Sequence, residues 1–258
     1  MEDLDTPRVV PGSADEILAA LERYGLRWDG EVVRQSERTH LYEAALRTLR
    51  EQHLAYDCGC SRAELQRAAS APLAAEPVYP GFCRDGLPPG RTARAVRFHP
   101  PAGTIAFDDA VHGRVEEEVS TRTGDFVIKR ADGLFAYQLA VVVDDAEQGV
   151  TQVVRGGDLL PSTARQIALQ RALGYPTPSY AHLPLVVDAS GAKLGKRDGA
   201  LPLPSLDEAR IASTLALALE LLGVADVTRD TPDRMLTEAL ARFSPVNIPR
   251  GAVALPLR

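Results

Sequence analysis

The sequence predicts an α/β protein built around a parallel sheet, and three observations carry that expectation. Between Asp125 and Asp188 the chain alternates strand-like and helix-like runs and closes on a glycine-punctuated loop. Ahead of that stretch lies an irregular region, rich in Ala, Pro, Gly and Arg, beside three cysteines. After Ser205 the pattern turns helical.

The elements follow in order. Pro11-Gly12 makes a turn, and Ser13 with Glu16 reads as a capping box opening a helix that carries Ile17, Leu18, Leu21 and Tyr24 on one face and stops at Gly25. "LRWDGEVV" is a loop or short strand. A second helix is expected from about Thr39 to His53, with Leu41, Ala45, Leu46 and Leu49 aligned. "GTIAFDDAVHGRVEEEV" holds short β-runs about a glycine turn. "DFVIKRADG" is a strand, and "LFAYQLAVVVDDAEQG" is too long for one strand and reads as a helix. "VTQVVRG" is a β-branched strand. Ser162 then caps a helix that Gly174 ends. "AHLPLVVD" is another strand, leading into "ASGAKLGKRDG". Ser205 and Glu208 form a second capping box, and Thr231-Pro232 opens the last helix.

Composition removes several classes. Of 258 residues, 45% are apolar and 25% charged, the balance of a soluble globular protein. No apolar run approaches the roughly 18 residues of a membrane helix, and no export signal opens the chain. The expected location is therefore the cytoplasm. Three cysteines, an odd number, argue against a disulfide framework. A net charge of -6 argues against a non-specific nucleic-acid coat and leaves room for a local basic groove.

Four constellations carry chemistry. In "GAKLGKRDG", Lys193 and Lys196 follow a strand within a glycine-rich loop, a pattern suited to polyphosphate because ammonium groups can follow charge toward leaving pyrophosphate. The bland reading is a solvated basic turn. Tyr137 and Gln138 interrupt an apolar helix, so Tyr137 either lines a pocket at the sheet's edge or is an ordinary core tyrosine. Arg155 ends a strand before Gly156-Gly157-Asp158, where a guanidinium can clamp a carboxylate or simply face solvent. Cys58-Gly59-Cys60 sets two thiols on one tight turn, with Tyr79 and Cys83 downstream. Three thiolates and a fourth donor make a closed zinc site, against the alternative of three free thiols.

The long stretch "FVIKRADGLFAYQLAVVVDDAEQGVTQVVRGGDLLPSTARQIALQRALGYP" followed by "KLGKR" resembles the catalytic half of a class I glutamyl-tRNA synthetase. "MEDLDTPR", "ILAALERYGLRWDG" and "QSER" fit the same order. The "CGC…YPGFC" module is similar to the zinc-binding insertion of the short glutamyl-queuosine tRNA(Asp) synthetase paralogues. The chain closes about 60 residues after its lysine loop, without a large anticodon-binding region. The resemblance implies a Rossmann-type catalytic domain and an enzyme that activates glutamate with ATP, with Mg2+, in the absence of tRNA. The glutamyl group then passes to queuosine in the anticodon of tRNA(Asp). By motif position, Glu2 would bind the amino group of glutamate, Tyr137 and Arg155 would hold the substrate, and Lys196, with Lys193 in the same loop, would contact ATP. Cys58, Cys60, Tyr79 and Cys83 would hold structural Zn2+. The resemblance favours a monomer and no membrane partner.

Three departures accompany it. Gly195 stands where the loop usually has Ser. The Cys60–Tyr79 segment is long for the family, so His53, Asp57 and Asp85 stand as substitutes for the fourth ligand. The strand, loop and helix bearing the HIGH motif are missing ahead of "MEDLDTPR", a unit of about 30 residues. Met1 is therefore expected to be an internal methionine of an N-terminally truncated domain. The expected divisions are 1–57, first part of the catalytic domain; 58–121, zinc-binding insertion; 122–204, second half with the lysine loop; and 205–258, a helical segment. The alternatives are an inactive relative that keeps tRNA or glutamate binding, or a fragment of an ordinary glutamyl-tRNA synthetase.

Overall fold

The computed structural model describes residues 1–61, 63–65, 78–188, 190–194 and 207–255. Helix α1 (Ser13–Arg23) begins directly after Gly12, whose φ of 83° closes the Pro11-Gly12 turn. Ser13 is thus already helical, no side chain caps this end, and the expected Ser13–Glu16 box does not form. The face of α1 that turns inward buries Ala20 and leads to buried Tyr24, while Ile17 is half exposed. Helix α2 (Thr39–Glu51) matches its expected span and buries Tyr42, Ala45, Leu46 and Leu49.

Two sheets carry the rest. Strands β1 (Ala55–Cys58), β2 (Ala95–Phe98) and β5 (Phe126–Lys129) form an antiparallel sheet in the order β1-β2-β5. Strands β3 (Ile105–Asp109), β4 (Gly113–Glu117), β6 (Gln152–Gly156) and β7 (Ser179–Leu183) form the second, ordered β4-β3-β7-β6. There β3, β7 and β6 run parallel, and β4 returns from β3 as a hairpin. The strand over 126–129, expected to open the parallel series, is a correction: it pairs antiparallel with β2. Its alternating burial explains the choice, because a strand with one buried face suits an antiparallel sheet, whereas parallel strands are covered on both. Since β1 runs through residue 58, the stretch from 58 onward is joined to the rest by sheet pairing.

Short helix α3 (Val119–Arg122) precedes β5. Helix α4 (Tyr137–Glu147) precedes β6, and α5 (Leu160–Leu173) connects β6 to its parallel neighbour β7, a βαβ crossover unit. Gly174, at φ 71°, ends α5 as expected. Ser162 does not cap it: the chain enters through a 3-10 turn at Gly157–Leu159, Pro161 takes the first turn, and buried Ser162 accepts a 3.0 Å hydrogen bond from the Gln138 amide. Helix α6 (Glu208–Leu221) is capped by Asp207, whose carboxylate accepts from the Arg210 amide at 2.8 Å; Ser205, expected in that role, lies outside the described residues. Thr231 and Pro232 open α7 (Pro232–Arg242) as expected. Strands β8 (Val186–Val187) and β9 (Val253–Ala254) pair parallel and tie the end of the chain to the segment after β7.

The main core lies between α2, α4, α5 and the sheets, with Tyr42, Leu49, Phe98, Ile128, Leu139, Ile167 and Leu169 almost wholly buried. Each such side chain contributes about 1.5–3 kcal/mol of burial free energy. A separate cluster joins Tyr24 at the end of α1 to Ile211, Leu215 and Leu219 of α6 and Met235 of α7. No helix among the described residues is long and apolar enough to cross a membrane.

Candidate active site and cysteine cluster

Ligands of α/β sheets gather beyond the carboxyl ends of the parallel strands. Here each of the three parallel strands carries a polar residue at or next to its carboxyl end: Asp109 last on β3, His182 next to last on β7 and Arg155 next to last on β6, with Arg155 and His182 paired in register. Arg155 donates from Nε to His182 Nε2 at 3.0 Å and from Nη2 to Thr163 Oγ1 at 2.9 Å. His182 Nδ1 meets Asp109 Oδ2 at 2.6 Å, and both side chains are fully buried. Burial lowers the His182 pKa and keeps the ring neutral. Burial also works against charge on Asp109, but His182 and the amides of His112 and Val111 hold its carboxyl below the ordinary value. Gly157 is needed just beyond Arg155, because a Cβ there would sit 3.0 Å from the Leu183 carbonyl oxygen.

Around Arg155 the structure brings together the residues singled out from sequence. Tyr137, the first residue of α4, is electrostatically coupled to Arg155 and to exposed Glu2. Burial, then Glu2, raises the Tyr137 pKa, so the phenol stays protonated as a donor. Two further residues that sequence reasoning missed belong here. Asp145 lies two helical turns beyond Tyr137 on the same face of α4, and burial pushes its pKa up to about 6, against the pull of Arg155. The Tyr180 ring centroid lies 5.6 Å from the Arg155 guanidinium carbon. The outcome is a cation coupled to the Asp145 carboxylate and to two phenols, with Glu2 acting on Tyr137 and Asp145, a set matched to a ligand carrying both an ammonium and carboxylates.

The lysine loop reaches the same sheet edge. Lys193 forms an ion pair with Asp158, three residues beyond Arg155, and this pair lowers the Asp158 pKa. Lys196 and Gly195 lie outside the described residues.

The acidic doublet also has a structural member. Asp144 accepts from Gln35 Nε2 at 2.8 Å, Arg38 Nε at 2.7 Å and Tyr42 Oη at 2.8 Å. The "QSER" motif and α2 are thereby clamped to α4. The chain's first residues are pinned on the other side of that motif. The Ser36 amide and hydroxyl donate to Asp3 at 2.9 and 2.7 Å, and the Met1 ammonium donates to the Val33 carbonyl at 2.6 Å. Glu2 is held between these contacts.

The cysteines converge. The sulfurs of Cys58, Cys60 and Cys83 lie within 4.8 Å of one another. The Tyr79 hydroxyl sits among them, 3.5 Å from Cys58 and from Cys60, and accepts from the Cys83 amide at 3.1 Å. Among the described residues, none of His53, Asp57 and Asp85 joins this group; Asp57 is paired with Arg50. Burial works to raise the Cys58 pKa, but hydrogen bonds with Tyr79 and Arg97 bring it below the ordinary thiol value. Burial pushes Cys60 up to about 11. A cage of three soft sulfurs and one phenolic oxygen fits a four-coordinate zinc ion.

Fold and motif order together define a tRNA synthetase catalytic domain of class I. Residues 1–210 match the family of class I tRNA synthetases (E and Q), catalytic domain. The glutamyl-Q tRNA(Asp) synthetase of Geobacter sulfurreducens is 54% identical over 259 residues, covering 98% of this chain and 82% of that protein. That of Thiobacillus denitrificans is 50% identical over 256 residues, covering 98% and 84%. The crystal structure of a glutamate tRNA ligase from Elizabethkingia meningosepticum in complex with its amino acid superposes with a TM-score of 0.76 at 26% identity. It matches 98% of this chain, which spans 59% of that longer one. The chain belongs to the class I tRNA synthetases of the E and Q type and, within them, to the glutamyl-Q tRNA(Asp) synthetase family.

Proposed function

We propose that this protein is an ATP-dependent ligase that activates glutamate and transfers it to queuosine in the anticodon of tRNA(Asp), acting in the cytoplasm, where tRNA is modified. The observation that supports the reading is the electrostatic coupling of Tyr137 to both Glu2 and Arg155 beside the carboxyl end of the parallel sheet, in a chain half identical to proteins of that name. In this reading Arg155 pairs with a carboxylate of glutamate, Glu2 takes its ammonium group, and Tyr137 donates its hydroxyl. Lys193 and Lys196 follow the charge of the triphosphate as pyrophosphate leaves. The Lys193–Asp158 pair supports this role by setting the loop beside Arg155.

Zinc in the cage of Cys58, Cys60, Tyr79 and Cys83 is part of the same proposal. The ion would be structural, since four protein donors leave no open position. It would tie the segment after β1 to the turn at Cys83, a small region whose cluster is built on little more than those side chains.

The test is glutamate-dependent exchange of label between pyrophosphate and ATP by the full-length gene product without tRNA. The expected result is exchange that needs glutamate and falls on changing Arg155. Exchange that needs tRNA, or none with any amino acid, would overturn the reading. In the second case the surviving alternative is a binding relative without activation chemistry.

A further inference from the structure

Arg155 is not a free cation waiting for an anion. It is the end of a hydrogen-bonded chain that crosses three parallel strands. Asp109 Oδ1 accepts from the backbone amides of Val111 and His112 at 3.0 Å each and of His182 at 3.3 Å. That oxygen is therefore committed to the turn after β3. The other oxygen, Oδ2, faces His182 Nδ1 at 2.6 Å, and Nε2 of the same ring faces Arg155 Nε at 3.0 Å. A guanidinium can only donate and a carboxylate can only accept. The ring must then carry its proton on Nδ1 and keep a lone pair on Nε2, and no other arrangement satisfies all three groups.

We propose that Asp109 and His182 are positioning residues for Arg155: Asp109 fixes the His182 tautomer, and His182 holds the guanidinium in the plane in which it receives the substrate carboxylate. This rests on the reading of Arg155 as the carboxylate partner. Thr163 supplies the second anchor through Nη2, so the fork is held along one edge by two different elements. An arginine held in this way binds a carboxylate without first losing the rotamer freedom of a long side chain. Full burial of the Asp109–His182 pair protects the chain of bonds from competing water.

The geometry makes a sharp test available. In Asp109→Asn the amide oxygen must stay toward the three backbone amides, which puts the NH2 group against His182 Nδ1. The ring can accept there only by moving its proton to Nε2. A ring N–H then faces the Arg155 N–H, donor against donor. The experiment labels histidine with 15N, reads the ring nitrogens of His182 by NMR, and measures glutamate and ATP affinity by calorimetry on the same samples. The expected result is an Nδ1–H ring in the wild type and an Nε2–H ring in D109N. Glutamate affinity should fall at least tenfold and ATP affinity should stay within about twofold. His182→Gln places an amide oxygen near the position of Nε2 and should keep glutamate affinity within about threefold of the wild type, whereas His182→Ala should not.

An Nε2–H ring in the wild type overturns the proposal even if D109N does not fold. So does a D109N protein with a switched ring and unchanged glutamate affinity. A wild-type protein that binds no glutamate while showing the Nδ1–H ring overturns instead the reading of Arg155 as a substrate ligand.

Discussion

Arg97 donates from Nε to Cys58 Sγ at 3.3 Å while its guanidinium carbon lies 3.9 Å from the centre of the Tyr79 ring. Its Nη1 reaches the Asp125 carbonyl at 2.8 Å, so one buried arginine joins the cysteine cage to the start of β5. Asp125 in turn receives Arg84 through two bonds of 3.0 Å, with Tyr56 and His99 on the same carboxylate. The proposed zinc cage is thus anchored through Arg97 to a charged network centred on Asp125.

Substituting Arg97 should therefore weaken metal retention without removing a ligand. Arg97→Lys keeps the charge and loses the flat fork that stacks on Tyr79 and reaches Asp125. Loss of an outer partner of a metal ligand typically costs 10–100-fold in affinity. Competition against a chromophoric chelator should show a loss of about that size for R97K, and elemental analysis should find zinc absent from Cys83→Ser.

Asp144 is the second testable anchor. Its carboxylate takes hydrogen bonds from Gln35 and Arg38, just before α2, and from Tyr42 in its first turn. Asp144→Ala strands a partly buried arginine and two buried polar groups. Breaking such a pair costs about 3–5 kcal/mol, and urea unfolding should show it. Tyr42→Phe removes one bond of the three and should cost about 1 kcal/mol.

Asp145 sets a pH dependence of stability. Its folded pKa of about 6 lies above the ordinary 3.8 because burial disfavours the charge. Between those values the folded state binds more protons than the unfolded one, so this group lowers stability as pH rises through the window. The cost is complete above pH 6 and amounts to at most about 3 kcal/mol. Asp145→Asn should therefore unfold at higher temperature than the wild type at pH 8 and show no such gain at pH 4, as read by thermal melts at both.

In the proposed reading, Arg155→Ala removes the charged partner of the substrate carboxylate and one of the two polar groups at His182 Nε2. A hydrogen bond to a charged group contributes about 1.5–3 kcal/mol. The KM for glutamate should rise about ten- to a hundredfold in the exchange assay, with the KM for ATP little changed.

Much of this site was legible one residue at a time. The helical period placed α2, α4 and α5, and the Arg155-Gly-Gly break marked the end of a strand, where Arg155 is next to last in β6. The three cysteines and Tyr79 converge as their types suggested. What the sequence did not show was pairing. Asp109 and His182 are separated by 73 residues and Gln35 and Asp144 by 109, and no local pattern links them. Asp144 and Asp145 are adjacent, yet neighbouring helical positions point about 100° apart, so one carboxylate clamps α2 while the other is coupled to Arg155. Strand β5 was visible as a strand, but alternation fixes a buried face and not a partner, so its place beside β2 was out of reach. Ser162 matched a cap by type and lost that role because Pro161 and the preceding 3-10 turn start the helix earlier.

The most direct test of the central claim is transfer of labelled glutamate, with ATP, to purified tRNAs by the full-length protein. Label is expected on tRNA(Asp) that carries queuosine and not on tRNA(Asp) lacking it or on tRNA(Glu). Label on tRNA(Glu), or equal label on tRNA(Asp) with and without queuosine, would contradict it.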